Sequence, residues 1–222
     1  MIALLKKDFI TSRYIYAVAI LFVGIVLCIS SICSFEATMI VYVLGTLMVP
    51  LMANKFTATD EMRRNYDVII NSFPVKRIDV VLSKFIYYLA SYILTSLILF
   101  TIIKIVGGLN QEQLTTVYII QSLSLVYYFL IIGVTNFIYY RYDYGVAAKY
   151  SLIITMAIIY VPILFLKIID KINPNIEIKI TSYLLESTTN GAYLATAIIL
   201  VGLMLYILFV VLSIIGYRKR DL

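Results

Sequence analysis

The sequence of 222 residues contains no histidine and only two cysteines. Without imidazole there is no histidine acid/base catalysis and no histidine metal ligand, and two cysteines are too few for a zinc site built from four cysteines. Cys28 and Cys33 would lie about 140° apart around one helix, so they are not expected to pair. Most classes of enzyme are therefore excluded.

Charge is also scarce. Only 14% of the residues are charged and 63% are hydrophobic, with a mean hydropathy of +1.00, whereas soluble domains are about 25% charged. A water-soluble protein is excluded. Six uncharged stretches are long enough to cross a bilayer. They predict an all-α integral membrane protein with six transmembrane helices, at residues 14–35, 37–54, 85–103, 113–140, 150–166 and 187–217.

The 18 basic residues favour one orientation of these spans. With the N-terminus in the cytoplasm, 14 of the 18 lie on the inner side, and the exceptions are Lys104, Lys167, Lys171 and Lys179. This positive-inside bias predicts that both termini are cytoplasmic and accounts for the net charge of +6 without nucleic acid. Tyrosines near the inner ends of the spans are expected to anchor in the headgroup region: Tyr14, Tyr16, Tyr87, Tyr88, Tyr139, Tyr140, Tyr142, Tyr144 and Tyr217.

The predicted spans contain no charged residue, which argues against an ion-coupled transporter or an intramembrane protease. No phosphate-binding loop G-x-x-x-x-G-K-[ST] is present, and we expect no cofactor to be bound by this chain. A nucleotide-driven function would therefore need a separate ATPase subunit.

The longest inner connection covers residues 55–84 and carries a short amphipathic pattern. Within Asp60–Asn71 the apolar residues recur at i, i+4, i+7 and i+8, which predicts a helix with one apolar face. Two interpretations remain open, a helix lying on lipid headgroups and a coupling helix inserted into a groove of a cytoplasmic ATPase. The candidate coupling residues are Glu61, Met62, Arg63, Arg64, Tyr66, Asp67, Ile69 and Ile70.

Uncharged polar residues concentrate in the third and fourth spans. Packing between helices is one explanation, and a substrate path is the other. The candidate path residues are Ser91, Thr95, Gln121, Ser124, Thr135 and Asn136. Pro50 and Pro162 are expected to kink their helices. In the outer segment 167–190, residues 181–190 form either a surface loop or a re-entrant piece.

The inner connection resembles that of a known family. Asp60-Glu61, then Asn71-Ser72-Phe73-Pro74-Val75-Lys76-Arg77, then Ser83-Lys84-Phe85 are similar to the acid-led coupling helix, turn and third-span start of ABC-2 type transporter permeases. Three further features fit the same family: an N-terminal amphipathic elbow MIALLKKDF, a short RYDYG connection that adds Arg141 and Asp143 to the coupling candidates, and the ending RKRDL.

The resemblance, in particular to compact permeases of Gram-positive exporters of the phenol-soluble modulin type, implies half of a transporter. Such a chain would pair with a second copy or a paralogue and with cytoplasmic ABC ATPase subunits that bind ATP and Mg²⁺. It would lie in the bacterial cytoplasmic membrane, among membrane lipid, and export an amphipathic peptide or lipid-like substrate. The alternative is a non-transporting membrane module that binds a partner, such as a sensor, an immunity protein or an assembly protein.

Overall fold

A computed structural model describes residues 2–63, 76–142, 149–150, 153–158, 160, 164, 167, 171 and 188–219. These residues form five long helices and contain no strand. The helices are α1 (Ile2–Cys33), α2 (Phe35–Arg63), α3 (Arg77–Gly107), α4 (Gln111–Arg141) and α5 (Thr188–Arg218). Residues 153–158 are also helical.

All five helices are long and apolar enough to cross a membrane. The predicted second, third and fourth spans lie within α2, α3 and α4. The first lies within α1 except for residues 34 and 35, and the sixth lies within α5 except for residue 187. The fifth predicted span, 150–166, lies largely outside the described residues. The all-helical membrane architecture is thus confirmed, while six spans and cytoplasmic termini stay predictions.

The turn between α1 and α2 consists of one residue, Ser34. Its Oγ accepts a hydrogen bond from the backbone N–H of Ala37 at 3.2 Å. This is the usual bond between an N-cap serine and the third residue of a helix, and it satisfies one of the free N–H groups there. The Ser34 cap therefore starts α2 immediately after α1 ends.

Two helices extend further than the uncharged stretches suggested. The residues of the predicted N-terminal elbow form the first turns of α1, and no separate elbow helix is present among the described residues. Asp60 and Glu61, predicted to start a coupling helix, lie near the end of α2. The physical reason is the same in both places: neither stretch contains a glycine or proline that would end a helix.

The chain divides into two compact units. The first comprises Met1–Leu109 and Val210–Leu222, and in it α1, α2 and α3 pack against one another. Gly45 of α2 permits this packing. A Cβ atom there would lie 2.5 Å from Val23 of α1 and 3.0 Å from Leu99 of α3. The three helices therefore approach closely because this position has no side chain.

The second unit comprises Asn110–Phe209. The backbone N–H of Asn110 donates to Oε1 of Gln113 at 3.0 Å and caps the start of α4. Gly133 of α4 gives close packing against α5, since a Cβ there would lie 2.3 Å from the ring of Phe209. The rings of Phe129 and Tyr206 pack at 4.3 Å between centroids.

Several tyrosines predicted at the lipid interface are core residues instead. Tyr87 is fully buried, and Tyr16, Tyr88, Tyr140 and Tyr217 are buried as well. Tyr14 and Tyr142 are exposed, as an interfacial anchor requires. The prediction is wrong for the buried tyrosines because it uses only their position along the helix. Whether a tyrosine contacts lipid or protein also depends on the helix face on which it lies.

Candidate functional site

The predicted coupling connection follows the end of α2 and precedes the start of α3 along the chain. Glu61, Met62 and Arg63 lie at the end of α2. Arg64, Tyr66, Asp67, Ile69 and Ile70 lie outside the described residues. The coupling role of these residues stays a prediction, and the structure describes the two helix ends that hold the connection.

Four charged side chains meet at these helix ends and form what we call the charge cluster: Lys7 and Asp8 of α1, Glu61 of α2 and Lys84 of α3. The Nζ atom of Lys84 donates to Oε1 of Glu61 at 2.5 Å and to Oδ1 of Asp8 at 3.0 Å. Lys7 also donates to Oε1 of Glu61. The cluster therefore links α1, α2 and α3.

The charge cluster is largely removed from solvent. Asp8 is 1% exposed, Lys84 6% and Glu61 9%, while the side chain of Lys7 retains 30% exposure. Two cations balance two anions. Removing charges from water is costly, and the attraction between them offsets that cost only when the geometry is good. The cluster is therefore better understood as a device that fixes one arrangement of three helices than as a large source of stability.

Aromatic residues that are close in sequence to Asp8 and Lys84 pack against one another. The ring of Tyr87 packs edge-to-face on Phe9 of α1 at 5.1 Å and on Tyr88 at 5.7 Å. Tyr88 in turn contacts Phe85 at 6.1 Å. Phe85, Tyr87 and Tyr88 follow Lys84 along α3 and are buried, and ion pairs in a buried environment are stronger than ion pairs in water.

A second contact holds the start of α3. The guanidinium of Arg77 donates to the backbone carbonyl of Tyr217 at 3.2 Å and lies over the ring of that residue, 5.6 Å from its centroid. Arg77 belongs to the turn that resembles the ABC-2 pattern. It joins the returning connection to the end of α5 within the first unit.

Of the two coupling candidates in the second inner connection, only Arg141 is among the described residues. Arg141 lies in the last turn of α4 with its guanidinium 5.7 Å from the ring centroid of Tyr142, and both residues are exposed. Asp143 lies outside the described residues. Their coupling role stays a prediction too.

The candidate path residues of α3 are Ser91 and Thr95, and both are buried. Ser91 donates to the carbonyl of Tyr88 and Thr95 to the carbonyl of Ser91, each at 2.8 Å. Thr95 also lies 3.5 Å from the hydroxyl of Tyr16 on α1. Backbone bonds of this kind satisfy a hydroxyl within its own helix.

In α4, Ser124, Thr135 and Asn136 likewise donate to backbone carbonyls of their own helix, at 2.7 to 2.8 Å. Ser124 and Asn136 are buried, whereas Gln121 and Thr135 are half-buried. These contacts fit packing within each unit. The substrate-path role remains a prediction.

Sequence reasoning missed the charge cluster. The predicted spans are uncharged runs, and they therefore exclude Asp8 and Lys84. The available signal was a lone acid in a basic N-terminal segment, together with a lysine directly before an apolar run. Among the described residues no group of three or more cysteine, aspartate or glutamate side chains is arranged to hold a metal ion.

The five long apolar helices of the described residues, three of which meet in the buried charge cluster, define a multi-pass helical membrane protein. The family model of the ABC-2 family transporter proteins matches residues 3–218. The chain belongs to that family, and it is a membrane component of a transporter. Comparisons with curated proteins and with solved structures found no match.

Proposed function

We propose that this chain is the permease subunit of an ATP-driven exporter. Two permease chains, identical or paralogous, associate with cytoplasmic ATPase subunits that bind ATP and Mg²⁺, and they move an amphipathic peptide or a lipid-like molecule out of a bacterial cytoplasm or membrane. The observation that carries the proposal is the family match over residues 3–218. The apolar spans support it, because an amphipathic substrate suits apolar walls.

In this mechanism the charge cluster transmits motion from the connection between α2 and α3 to α1. The connection between α2 and α3 contacts the ATPase, and the cluster lies at the two helix ends from which that connection emerges. A displacement of the connection is then passed to α1 through Glu61 and Lys84 rather than absorbed by bending of one helix. The arrangement transmits motion because ion pairs joining three rigid helices hold discrete geometries.

The test is co-purification of the tagged chain from its native membrane in mild detergent, with ATPase activity and mass spectrometry on the eluate. We expect a nucleotide-binding subunit to co-purify. Arg63→Glu with Arg64→Glu should abolish substrate-stimulated ATPase activity and transport while the helical content measured by circular dichroism is unchanged.

The matched control reverses two exposed charges at the end of α5, Arg218→Glu with Lys219→Glu, and should leave the ATPase bound and active. If transport and stimulated ATPase activity both survive the change at Arg63 and Arg64, the coupling assignment is wrong. A chain that elutes without any ATPase favours the non-transporting partner-binding module instead.

A further inference from the structure

A groove of about 570 Å³ runs between α1 and α2. Its floor consists of small or half-buried residues, Ala19 and Val23 of α1 with Gly45 and Val49 of α2. Larger side chains such as Phe22 and Met48 form the rims and are exposed. The groove exists because the floor residues are smaller than those on either side.

The lining is entirely hydrophobic or glycine along both helices. On α1 it extends from Ile15 to Val26, which is twelve residues, and the eleven rises between them span about 16 Å at 1.5 Å each. One leaflet of a bilayer has about half of the 30 Å hydrocarbon thickness, about 15 Å. The groove therefore has the length of a single lipid acyl chain.

The position of the groove selects one leaflet. Ile15 directly follows Arg13 and Tyr14, whose exposed side chains contact each other with Nη2 and Oη 2.9 Å apart. A paired arginine and tyrosine of this kind mark a headgroup boundary. The groove thus starts at the boundary near the N-terminus of α1, which is the cytoplasmic one in the predicted topology, and ends near the bilayer midplane.

A cation lies at the mouth of the groove. Lys55 follows Met52, the last lining residue of α2, by three positions, so it continues the same helix face, and it is exposed. No acidic residue lines the groove. Arg13 lies at a similar depth but on the far face of α1, about 140° from the centre of the lining stripe.

We propose that the groove binds an anionic phospholipid of the cytoplasmic leaflet, with one acyl chain between α1 and α2 and the phosphate at Lys55. This lipid is a resident ligand of the permease, distinct from the exported substrate. A phospholipid fits better than a protein helix, because the groove is narrow, has the length of one leaflet and carries a cation only at its headgroup end.

The absence of tryptophan from the chain permits a direct test. Phe22→Trp places a single tryptophan on the rim of the groove, and Leu21→Trp places one on the neighbouring face, with equal exposure of 67% at the two original residues. Each full-length variant is reconstituted in phosphatidylcholine vesicles that contain increasing fractions of phosphatidylglycerol with brominated acyl chains, which quench tryptophan on contact.

We expect quenching of Phe22→Trp to reach its half-maximum at about a fivefold lower fraction of brominated phosphatidylglycerol than quenching of Leu21→Trp, the factor that one lysine near an anionic surface supplies. Adding Lys55→Gln should abolish this preference. Adding Arg13→Gln, which removes an exposed cation at similar depth, should preserve it. Val18→Trp, also on the rim, replaces Phe22→Trp if that variant does not fold.

Two results would overturn the proposal. Equal half-maxima at the two reporter positions would mean that the groove holds bulk lipid without selection. A rim tryptophan that no brominated lipid quenches, beside a quenched Leu21→Trp, would mean that protein covers the groove, either a second copy of the chain or another subunit. Neither result bears on whether the chain works with an ATPase.

Discussion

Lys84 forms ion pairs with both carboxylates of the charge cluster, Asp8 and Glu61. Its ammonium is the only cation that contacts both buried carboxylates at 3.0 Å or less among the described residues. Replacing it leaves Asp8 and Glu61 with Lys7 as their sole cationic partner in the cluster. An uncompensated buried charge is far more costly than the loss of a neutral pair.

We therefore expect Lys84→Met to lower the free energy of unfolding by about 3–5 kcal/mol. Unfolding of the purified chain in mixed micelles by increasing SDS, followed by circular dichroism, measures this change. Lys104→Met removes an exposed lysine from the other end of the same helix and should change the free energy by less than about 1 kcal/mol.

Charge balance, rather than the lysine side chain itself, is the proposed cause, and a second variant separates the two. Asp8→Asn added to Lys84→Met leaves Lys7 with Glu61 as a balanced pair. The double variant should be more stable than Lys84→Met alone. A double variant less stable than either single variant would show that packing around Lys84, not charge, sets the cost.

Lys6 and Lys7 are adjacent and chemically identical, but only Lys7 contacts Glu61. Lys6 is exposed, and Lys7 keeps 30% exposure of its side chain. Lys7→Met should cost about 1 kcal/mol because the lost ion pair is partly screened by water, and Lys6→Met should cost almost nothing. The same SDS titration compares them. Equal effects would argue against the ion pair.

The sequence did not reveal which charged residues are buried. Lys6, Lys7 and Asp8 are consecutive in one basic segment, and their different exposure depends on which face of α1 meets α2 and α3. Asp8 pairs with Lys84, 76 residues away along the chain, and Lys7 pairs with Glu61, 54 residues away. Long-range pairing of this kind leaves no local pattern, whereas the apolar runs that form the five described helices are local and visible in the sequence.

At the scale of helices, the approach of α1, α2 and α3 depends on Gly45. Gly45→Ala would place a Cβ 2.5 Å from Val23 and 3.0 Å from Leu99. We expect a loss of about 1–3 kcal/mol in the free energy of unfolding from overpacking. Gly107→Ala is the matched control, since the nearest atom to its Cβ would be 3.6 Å away.

A second substitution, at Val23, tests whether a steric clash causes the expected loss of stability in Gly45→Ala. Val23→Ala removes the methyl groups that a Cβ at position 45 would meet, so Gly45→Ala with Val23→Ala should recover part of the loss. SDS unfolding again supplies the measurement. Strict additivity of the two changes would mean that Gly45 matters for another reason than contact with Val23.

Local sequence patterns predict the presence of the helices better than they predict where the helices end. The five described helices each contain a long apolar run, which is a strong local signal for a helix that crosses a membrane. The boundary between α2 and the predicted coupling helix was wrong at its start, because acids at Asp60 and Glu61 suit the first turn of a new helix. In the structure Glu61 is paired with two lysines, a tertiary contact that outweighs the local preference.

For the whole molecule, the number of spans determines whether the two termini lie on the same side of the membrane or on opposite sides. Five described helices and a sixth span within 150–166 would place both termini on one side, as the distribution of basic residues predicts. Without that span α5 would cross in the opposite direction. The end of α5 would then lie on the far side of the membrane from the start of α1.

Single cysteines in a background of Cys28→Ser and Cys33→Ser distinguish these topologies. We expect Lys6→Cys and Lys219→Cys to be protected from a membrane-impermeant maleimide in intact cells, and Lys104→Cys and Lys171→Cys to react. All four should react after the membrane is permeabilised, which controls for accessibility. Reaction at position 219 and protection at position 171 in intact cells would instead establish an odd number of spans. An odd number of spans would put Arg77 and Tyr217 on opposite sides of the bilayer, which their 3.2 Å hydrogen bond does not permit. The distance therefore requires that the start of α3 and the end of α5 lie on the same side of the membrane.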